Sequence, residues 1–176
     1  PAASAVGRAY RSTRRAKLKD TGRPMNSAAR AGRVNTPAID HKRAHPSHIG
    51  HCVFAVPDIG KLEKFYTERL GFTVSDYYTG RGVFIRAAKR GGHHNLFFLE
   101  SADGSASINH VAFGVEDLHE LFAGGLYFQG KKHKVVVGPG RHHVSSAYFW
   151  YFDCPGGGAT EYFCDEDYLT EDWKPG

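Results

Sequence analysis

The chain has 176 residues and a formal net charge of +5, and apolar residues make up 41% of it. The charge is uneven, because residues 1–45 carry 11 Lys or Arg against two Asp, whereas residues 46–176 carry 12 against 16 acidic residues. No apolar run approaches the roughly 18 residues of a membrane span, and the three cysteines form no C-x-x-C pair, so we expect a soluble, cytoplasmic protein without a membrane partner or a disulfide framework.

Residues 1–45 are predicted to be a basic N-terminal extension or linker. Their larger apolar side chains are sparse and follow neither a strand nor a helix period, so they cannot build a core of their own. Arg and Ser enrichment with few acids is also typical of an organelle transit peptide, and clustered Lys and Arg would suit nucleic acid. We favour the linker, expect no nucleic-acid partner, and expect the extension to rest on a surface such as that of a second subunit.

Residues 46–176 contain an internal duplication. Segment 49–59 aligns with segment 108–118 without a gap, so that His51 corresponds to His110 and Asp58 to Asp117. Each segment is rich in β-branched and aromatic residues, which predicts a strand. Each also ends at an Asp, a residue that commonly caps the N-terminus of a helix.

A helical pattern follows each of the two capping residues. After Asp58, apolar residues recur at helical spacing as far as Leu70, and Gly71 supplies the stop. After Asp117 the same spacing begins again, with Glu120 completing a capping pair. Further strands are predicted at 72–78, 82–87 and 95–100 in the first copy, and at 135–137, 147–152 and 159–163 in the second.

Both copies therefore have the predicted order βαβββ. Because one such unit is too small to bury its own sheet face, two of them should pack together. We predict an α+β fold in which two paired βαβββ modules, about 46–104 and 105–176, form a curled mixed sheet around a metal cleft.

Equivalent positions of the two modules supply a candidate metal site. His51 and His110 occupy the same position in the two first strands, and a pseudo-two-fold axis would bring both imidazoles into the cleft. The last strand offers Glu161, a carboxylate that would be costly to bury unless it binds a cation. Two His and one carboxylate form the facial triad of non-haem Fe(II) oxygenases.

Together with further motifs, these residues resemble the vicinal oxygen chelate superfamily of glyoxalases, bleomycin-resistance proteins and dioxygenases. Within it, residues 46–176 are most similar to the catalytic domain of the type I extradiol ring-cleaving dioxygenases. The segment at 91–96, Gly-Gly-His-His-Asn-Leu, looks like the family's paired-His motif, and 138–142, Gly-Pro-Gly-Arg-His, like its substrate-binding loop. Tyr151, Pro155 and Glu161 continue the family's spacing without a gap.

The resemblance implies extradiol cleavage of a catechol-type aromatic diol with O2, in aromatic hydrocarbon catabolism. The cofactor would be Fe(II), with Mn(II) as the alternative, held by His51, His110 and Glu161. The implied catalytic residues are His94, His142 and Tyr151: His94 would exchange a proton with substrate or bound oxygen, and the other two would hydrogen-bond the substrate oxygens.

The neighbouring His93 and His143 are expected to point away, and Trp150 and Phe152 to pack on the opposite face from Tyr151. One departure is that His142 is followed by His143 rather than by the Asn or Asp that the family often has shortly after this position.

Two other functions stay open. A glyoxalase-type lyase or isomerase would need a fourth ligand, for which the duplication nominates Glu100, close to position 102, the mate of Glu161. A non-catalytic binding module of the bleomycin-resistance kind would hold no metal. Because many extradiol enzymes carry a second domain of the same fold, residues 46–176 are either a single-domain member or part of a longer chain, and we expect a homo-oligomer that completes the walls of the site.

Overall fold

The computed structural model describes residues 41–176, and residues 1–40, most of the predicted extension, lie outside the described part. The described elements are, in order, β1 (His48–Val56), α1 (Ile59–Leu70), β2 (Thr73–Tyr78), β3 (Gly82–Arg86), β4 (Gly91–Gly92), β5 (Leu96–Glu100), β6 (Ser107–Gly114), α2 (Leu118–Gly130), β7 (Val135–Arg141), β8 (Tyr148–Asp153), β9 (Ala159–Cys164) and β10 (Tyr168–Leu169).

Eight of the strands form one mixed sheet in the order β2-β3-β5-β1-β6-β9-β8-β7. The two halves are related by their pairing, since β1 pairs in parallel with β5 and β6 in parallel with β9, while β1 and β6 are antiparallel neighbours at the centre. The predicted α+β fold with paired βαβββ units is confirmed. The short strands β4 and β10, which pair with each other outside the large sheet, were not predicted.

Both helices begin where their capping residues predict, and α1 also ends as predicted. The Asp58 side chain accepts a hydrogen bond from the Lys61 N–H at 2.8 Å, and the Asp117 side chain accepts one from the Glu120 N–H at 2.9 Å. Gly71 ends α1 with φ +75°, a left-handed conformation that favours glycine. Neither helix has the length and apolar character that crossing a membrane requires.

The helices cover one face of the sheet and leave the other face for polar side chains. Trp150 and Phe152 pack with Leu121 of α2 in the larger core cluster, on the opposite face from Tyr151, as predicted. A Cβ at Gly125 would overlap the Trp150 ring, so glycine lets α2 approach the sheet closely. The equivalent cluster under α1 is built around Val56, Val83, Ile85 and Phe98.

The described end of the predicted extension contacts this fold. Ala44 packs against the core cluster under α2, and the His45 N–H donates to Glu120 Oε1 at 2.8 Å. The expected boundary between residues 45 and 46 stays a prediction. Cys52, Cys154 and Cys164 are free thiols, as their spacing predicted.

Candidate active site

Strand register brings the candidate residues onto one row of the sheet. His51 on β1 lies opposite Ala112 on β6, Ala112 lies opposite Glu161 on β9, and Glu161 lies opposite Tyr151 on β8. His110 is two residues before Ala112 and therefore shares its face of β6. Because Ala112 is fully buried and carries only a methyl group, the longer side chains around it can meet above it.

Three polar atoms converge at this point. His51 Nε2 lies 3.0 Å from Glu161 Oε2, His110 Nε2 lies 3.2 Å from the same oxygen, and the two imidazole nitrogens are 3.4 Å apart. Ligand atoms about 2.1 Å from a metal ion are about 3.0 Å apart at octahedral angles and about 3.4 Å apart at tetrahedral ones. The spacing of these nitrogen and oxygen atoms therefore fits one face of a divalent metal's coordination shell.

The charge of the cluster fits a cation as well. Glu161 is fully buried, which by itself would raise its pKa, but the adjoining imidazoles of His110, His142 and His51 hold the pKa well below its usual range. Burial lowers the pKa of His51, so this imidazole is neutral and keeps a lone pair for a metal. Glu161 Oε1 and His51 Nδ1 are buried without a hydrogen-bond partner among residues 41–176.

Asn109 sets the orientation of the second imidazole. Its Oδ1 lies 2.8 Å from His110 Nδ1 and, being a carbonyl oxygen, accepts the hydrogen bond. This hydrogen bond places a proton on Nδ1, so Nε2, the nitrogen nearest Glu161 and His51, is the atom of His110 available to a metal. Such a partner behind a metal-binding histidine is common in metalloproteins, and the sequence interpretation overlooked Asn109.

A second group of ligand-type atoms lies beside the first and shares His51. It adds His94 and Glu166, whose Nδ1 and Oε1 atoms are 3.6 Å apart. Burial raises the pKa of Glu166 to about 7, although the backbone N–H groups of His94 and His93 donate to it. A carboxyl that is partly protonated near neutral pH is a poorer ligand than Glu161, so the first group is the better metal site.

The three predicted catalytic side chains surround this cluster. The His94 ring lies over that of His51, with centroids 4.0 Å apart, and burial, followed by the nearby His51 and His93, holds its pKa well below 6.5. His142 Nε2 and Tyr151 Oη are hydrogen-bonded at 3.0 Å. Burial and the charge of Glu161 raise the pKa of Tyr151, so the phenol keeps its proton.

One cavity opens beside the cluster on the side of the second module. Its volume is about 410 Å³ and its lining joins the polar side chains of His110, His142 and Tyr151 to the apolar ones of Val136, Val137 and Phe149. His142 lies nearly parallel to Phe149, with centroids 4.0 Å apart. A planar ring with polar substituents at one edge matches this division of the lining.

One residue of the first module was misread from the sequence. His93 does not point away: its side chain is 1% exposed, its Nδ1 lies 3.1 Å from His94 Nδ1, and its Nε2 lies 2.8 Å from Asp76 Oδ2. The alternation rule was wrong here because 93 and 94 lie in a turn between β4 and β5 rather than in a strand. His143 is exposed, as expected.

The strand register also corrects the proposed mate of Glu161. In the second module Glu161 pairs with Ala112, and the equivalent pair in the first module is Val53 with Phe97. Phe97, not position 102, is thus the structural counterpart of Glu161, and it stacks on Phe84 with centroids 3.8 Å apart. Glu100, the nominated fourth ligand, is exposed at the far end of β5, and the true counterpart of Glu161 is an aromatic ring.

Known proteins share this architecture. Metapyrocatechase 2 of Cupriavidus necator is 28% identical over 137 residues, which cover 77% of this chain and 42% of that protein. A Mn(II)-bound glyoxalase from Novosphingobium aromaticivorans has a TM-score of 0.68 at 31% identity and is matched over 74% of this chain and 42% of its own. The 2,3-dioxygenase LapB from Pseudomonas sp. KL28 has a TM-score of 0.65 at 25% identity, with 74% and 46% covered.

This chain spans less than half the length of each of those three proteins. A family model described as the Glyoxalase/Bleomycin resistance protein/Dioxygenase superfamily matches residues 48–162, a segment that includes all six candidate site residues. The match confirms the resemblance stated from the sequence, and the chain belongs to the Glyoxalase/Bleomycin resistance protein/Dioxygenase superfamily.

Proposed function

We propose that this domain is an extradiol ring-cleaving dioxygenase of catechol-type aromatic diols. The observation that carries the proposal is the cluster of His51, His110 and Glu161. His94 lies on one side of this cluster, and on the other side is the cavity lined by His142 and Tyr151. Two histidines and one carboxylate leave open positions on an iron ion, as oxygenases require. The similarity to metapyrocatechase 2 and to the 2,3-dioxygenase LapB supports a dioxygenase activity.

His51, His110 and Glu161 would hold Fe(II), with Mn(II) as the alternative. A ferrous ion bound there would supply the electron transfer between catecholate and O2, which do not react directly because O2 is a triplet. Tyr151, which keeps its proton, would donate to one substrate oxygen, and His142, 3.0 Å from the Tyr151 hydroxyl, would orient the other. His94 is neutral and buried, so it would accept a substrate proton without first losing one.

The glyoxalase-type alternative rests on the Mn(II)-bound glyoxalase among the similar structures. Against it stands Phe97, which fills the position that corresponds to Glu161 in the first module. A metal site with four protein ligands would need a carboxylate at this position, whereas the three-ligand site of a dioxygenase has no ligand from it. The observation favours three protein ligands.

Oxygen uptake tests the proposed activity. The chain would be loaded anaerobically with Fe(II) and mixed with O2 and catechol, 3-methylcatechol or 2,3-dihydroxybiphenyl, while a yellow ring-opened product is followed by its absorbance. We expect oxygen uptake by the wild type and a rate of uptake lower by about 100-fold or more in His94→Gln. The control His133→Gln should keep the wild-type rate, because this half-exposed side chain lies near Asp153, outside the site. Absence of uptake with every diol would overturn the proposal.

Metal content separates the three functions. Protein purified without added metal and then titrated should bind one Fe(II) or Mn(II) per chain through His51, His110 and Glu161. Preference for Ni(II) or Zn(II), together with turnover of a hemithioacetal, would instead support the glyoxalase, and no metal binding would support the non-catalytic module. The predicted homo-oligomer stays a prediction, which size-exclusion chromatography with light scattering tests.

A further inference from the structure

A chain of hydrogen bonds leads from the surface of β2 to the proposed catalytic histidine. Asp76 Oδ2 lies 2.8 Å from His93 Nε2, and His93 Nδ1 lies 3.1 Å from His94 Nδ1. The middle member is almost completely buried, with 1% of its side chain exposed. Glu166 Oε1 is farther from His94 Nδ1, at 3.6 Å.

With both imidazoles neutral, this chain has one consistent arrangement of protons. A carboxylate only accepts, so His93 must donate from Nε2, and its Nδ1 is left as an acceptor. His94 must then donate from Nδ1, which leaves Nε2 of His94 without a proton. The arrangement makes Nε2 the atom of His94 that can accept a proton.

The surrounding packing holds every member of the chain in place. Phe84 contacts the rings of His93 and His94 edge-on, at centroid distances of 5.3 and 5.0 Å. Asp76 Oδ1 accepts the Gly176 N–H at 2.6 Å, so only its Oδ2 is available to His93. Trp173 Nε1 donates to the neighbouring Ser75 carbonyl at 2.6 Å and anchors the same segment.

We propose that Asp76 and His93 are positioning residues that hold His94 in the Nδ1–H tautomer, with an unprotonated Nε2 for the reaction. The proposal rests on the proposed function, because it assumes that His94 exchanges a proton with substrate. It assigns a role to two residues that touch neither the metal site nor the cavity. Their effect would pass through His94 alone.

Asp76→Asn is the sharpest perturbation. With the amide oxygen kept at the Oδ1 position to accept from the Gly176 N–H, the amide NH2 faces His93 Nε2. His93 then has to accept at Nε2 and donate from Nδ1, and His94 has to accept at Nδ1. The substitution therefore reverses both hydrogen bonds and places the proton of His94 on Nε2, with no change in side-chain size.

The tautomer is measured by long-range ¹H–¹⁵N spectra of histidine-labelled full chain loaded with Zn(II), a diamagnetic substitute for Fe(II). His94 is assigned by the signal that disappears in His94→Gln. We expect an Nδ1–H pattern in the wild type and in the matched control Glu63→Gln, which alters an exposed carboxylate that accepts from the Tyr77 hydroxyl, and an Nε2–H pattern in Asp76→Asn. In the Fe(II)-loaded enzyme, kcat of Asp76→Asn should fall about 100-fold with KM within a factor of about three.

Each outcome decides the proposal. An Nε2–H or doubly protonated His94 in the wild type overturns it, even if Asp76→Asn does not fold. An unchanged tautomer in Asp76→Asn, or an equal loss of kcat in Glu63→Gln, also overturns it. The tautomer is read without turnover, so failure of the proposed function would appear separately, as a wild type that consumes no O2 with any diol.

Discussion

The buried carboxyl of Glu166 should make the stability of this domain depend on pH in an unusual direction. Its side chain is 13% exposed, and its Oε1 is buried without a hydrogen-bond partner among the described residues. Burial raises its pKa to about 7 against the usual 4.5, and the charges of Glu161 and Asp167 act in the same sense. The folded chain therefore binds the Glu166 proton more tightly than the unfolded chain does.

The sign and size of the effect follow from this difference. A folded pKa above the unfolded one favours folding at low pH, and the contribution is lost as pH rises from about 4.5 through about 7. Since one pKa unit corresponds to about 1.4 kcal/mol, the free energy of unfolding should fall by about 2.5 kcal/mol between pH 5 and pH 8.5 from this group. Glu166→Gln removes the ionisation but keeps an oxygen for the His93 and His94 N–H groups.

Urea unfolding of the chelator-treated chain at the two pH values measures the difference. We expect the stability of the variant relative to the wild type to increase by about 2.5 kcal/mol between pH 5 and pH 8.5. Glu171→Gln, which alters an exposed carboxylate of the same segment, should show no such gain. A stability difference between wild type and Glu166→Gln that does not change with pH would refute the reasoning.

Three further substitutions test the site and its cavity. Ala112→Leu should weaken Mn(II) binding in a calorimetric titration by about tenfold or more, because the larger side chain fills the space where the ligand atoms meet, whereas Ala112→Ser should bind nearly normally. Tyr151→Phe should lower kcat about 100-fold through loss of the hydroxyl that contacts His142, and an unchanged kcat would remove Tyr151 from the proposed machinery. Val137→Arg should raise kcat/KM for carboxylated catechols relative to 3-methylcatechol by about tenfold. The reason is that the new guanidinium would pair with the carboxylate in a cavity that no Lys or Arg of the described chain lines. The same change in kcat/KM in Ile49→Arg, which lies outside the cavity, would contradict this prediction.

The elements that the sequence predicted are those whose signals are local. Asp58 and Asp117 cap helices because an Asp side chain reaches the N–H three residues ahead, and Gly71 ends α1 because it adopts a left-handed conformation at low cost. Alternation along β8 separates Trp150 from Tyr151 correctly. The helical and strand periods carry this information within a few residues, whereas β4 and β10 are two residues long and have no period.

The duplication also made the convergence of His51, His110 and Glu161 predictable. His51 and His110 repeat in register, and the alternation in β9 places Glu161 on the face it shares with Ala159. Asn109 could not be found in this way, because strand alternation places neighbouring residues such as 109 and 110 on opposite faces. The Asp76–His93 pair could not be found either, because its contact depends on a turn and on the side-chain orientation that packing against Phe84 selects. The nearest local signal was the adjacency of His93 and His94, which strand alternation misread.

By itself, then, the sequence determined the βαβββ repeat, the starts of both helices, the end of α1 and the three residues that meet at the sheet centre, because periodicity and internal symmetry encode them. Only the tertiary structure decided which residue of the first module corresponds to Glu161. That correspondence depends on how β5 aligns with β1. Because the two modules have turns of different length, a constant offset along the sequence led to position 102, whereas the hydrogen-bonded register of the strands leads to Phe97. The hydrogen-bonded chain from Asp76 to His94 likewise exists only once β2 and the turn after β4 lie side by side.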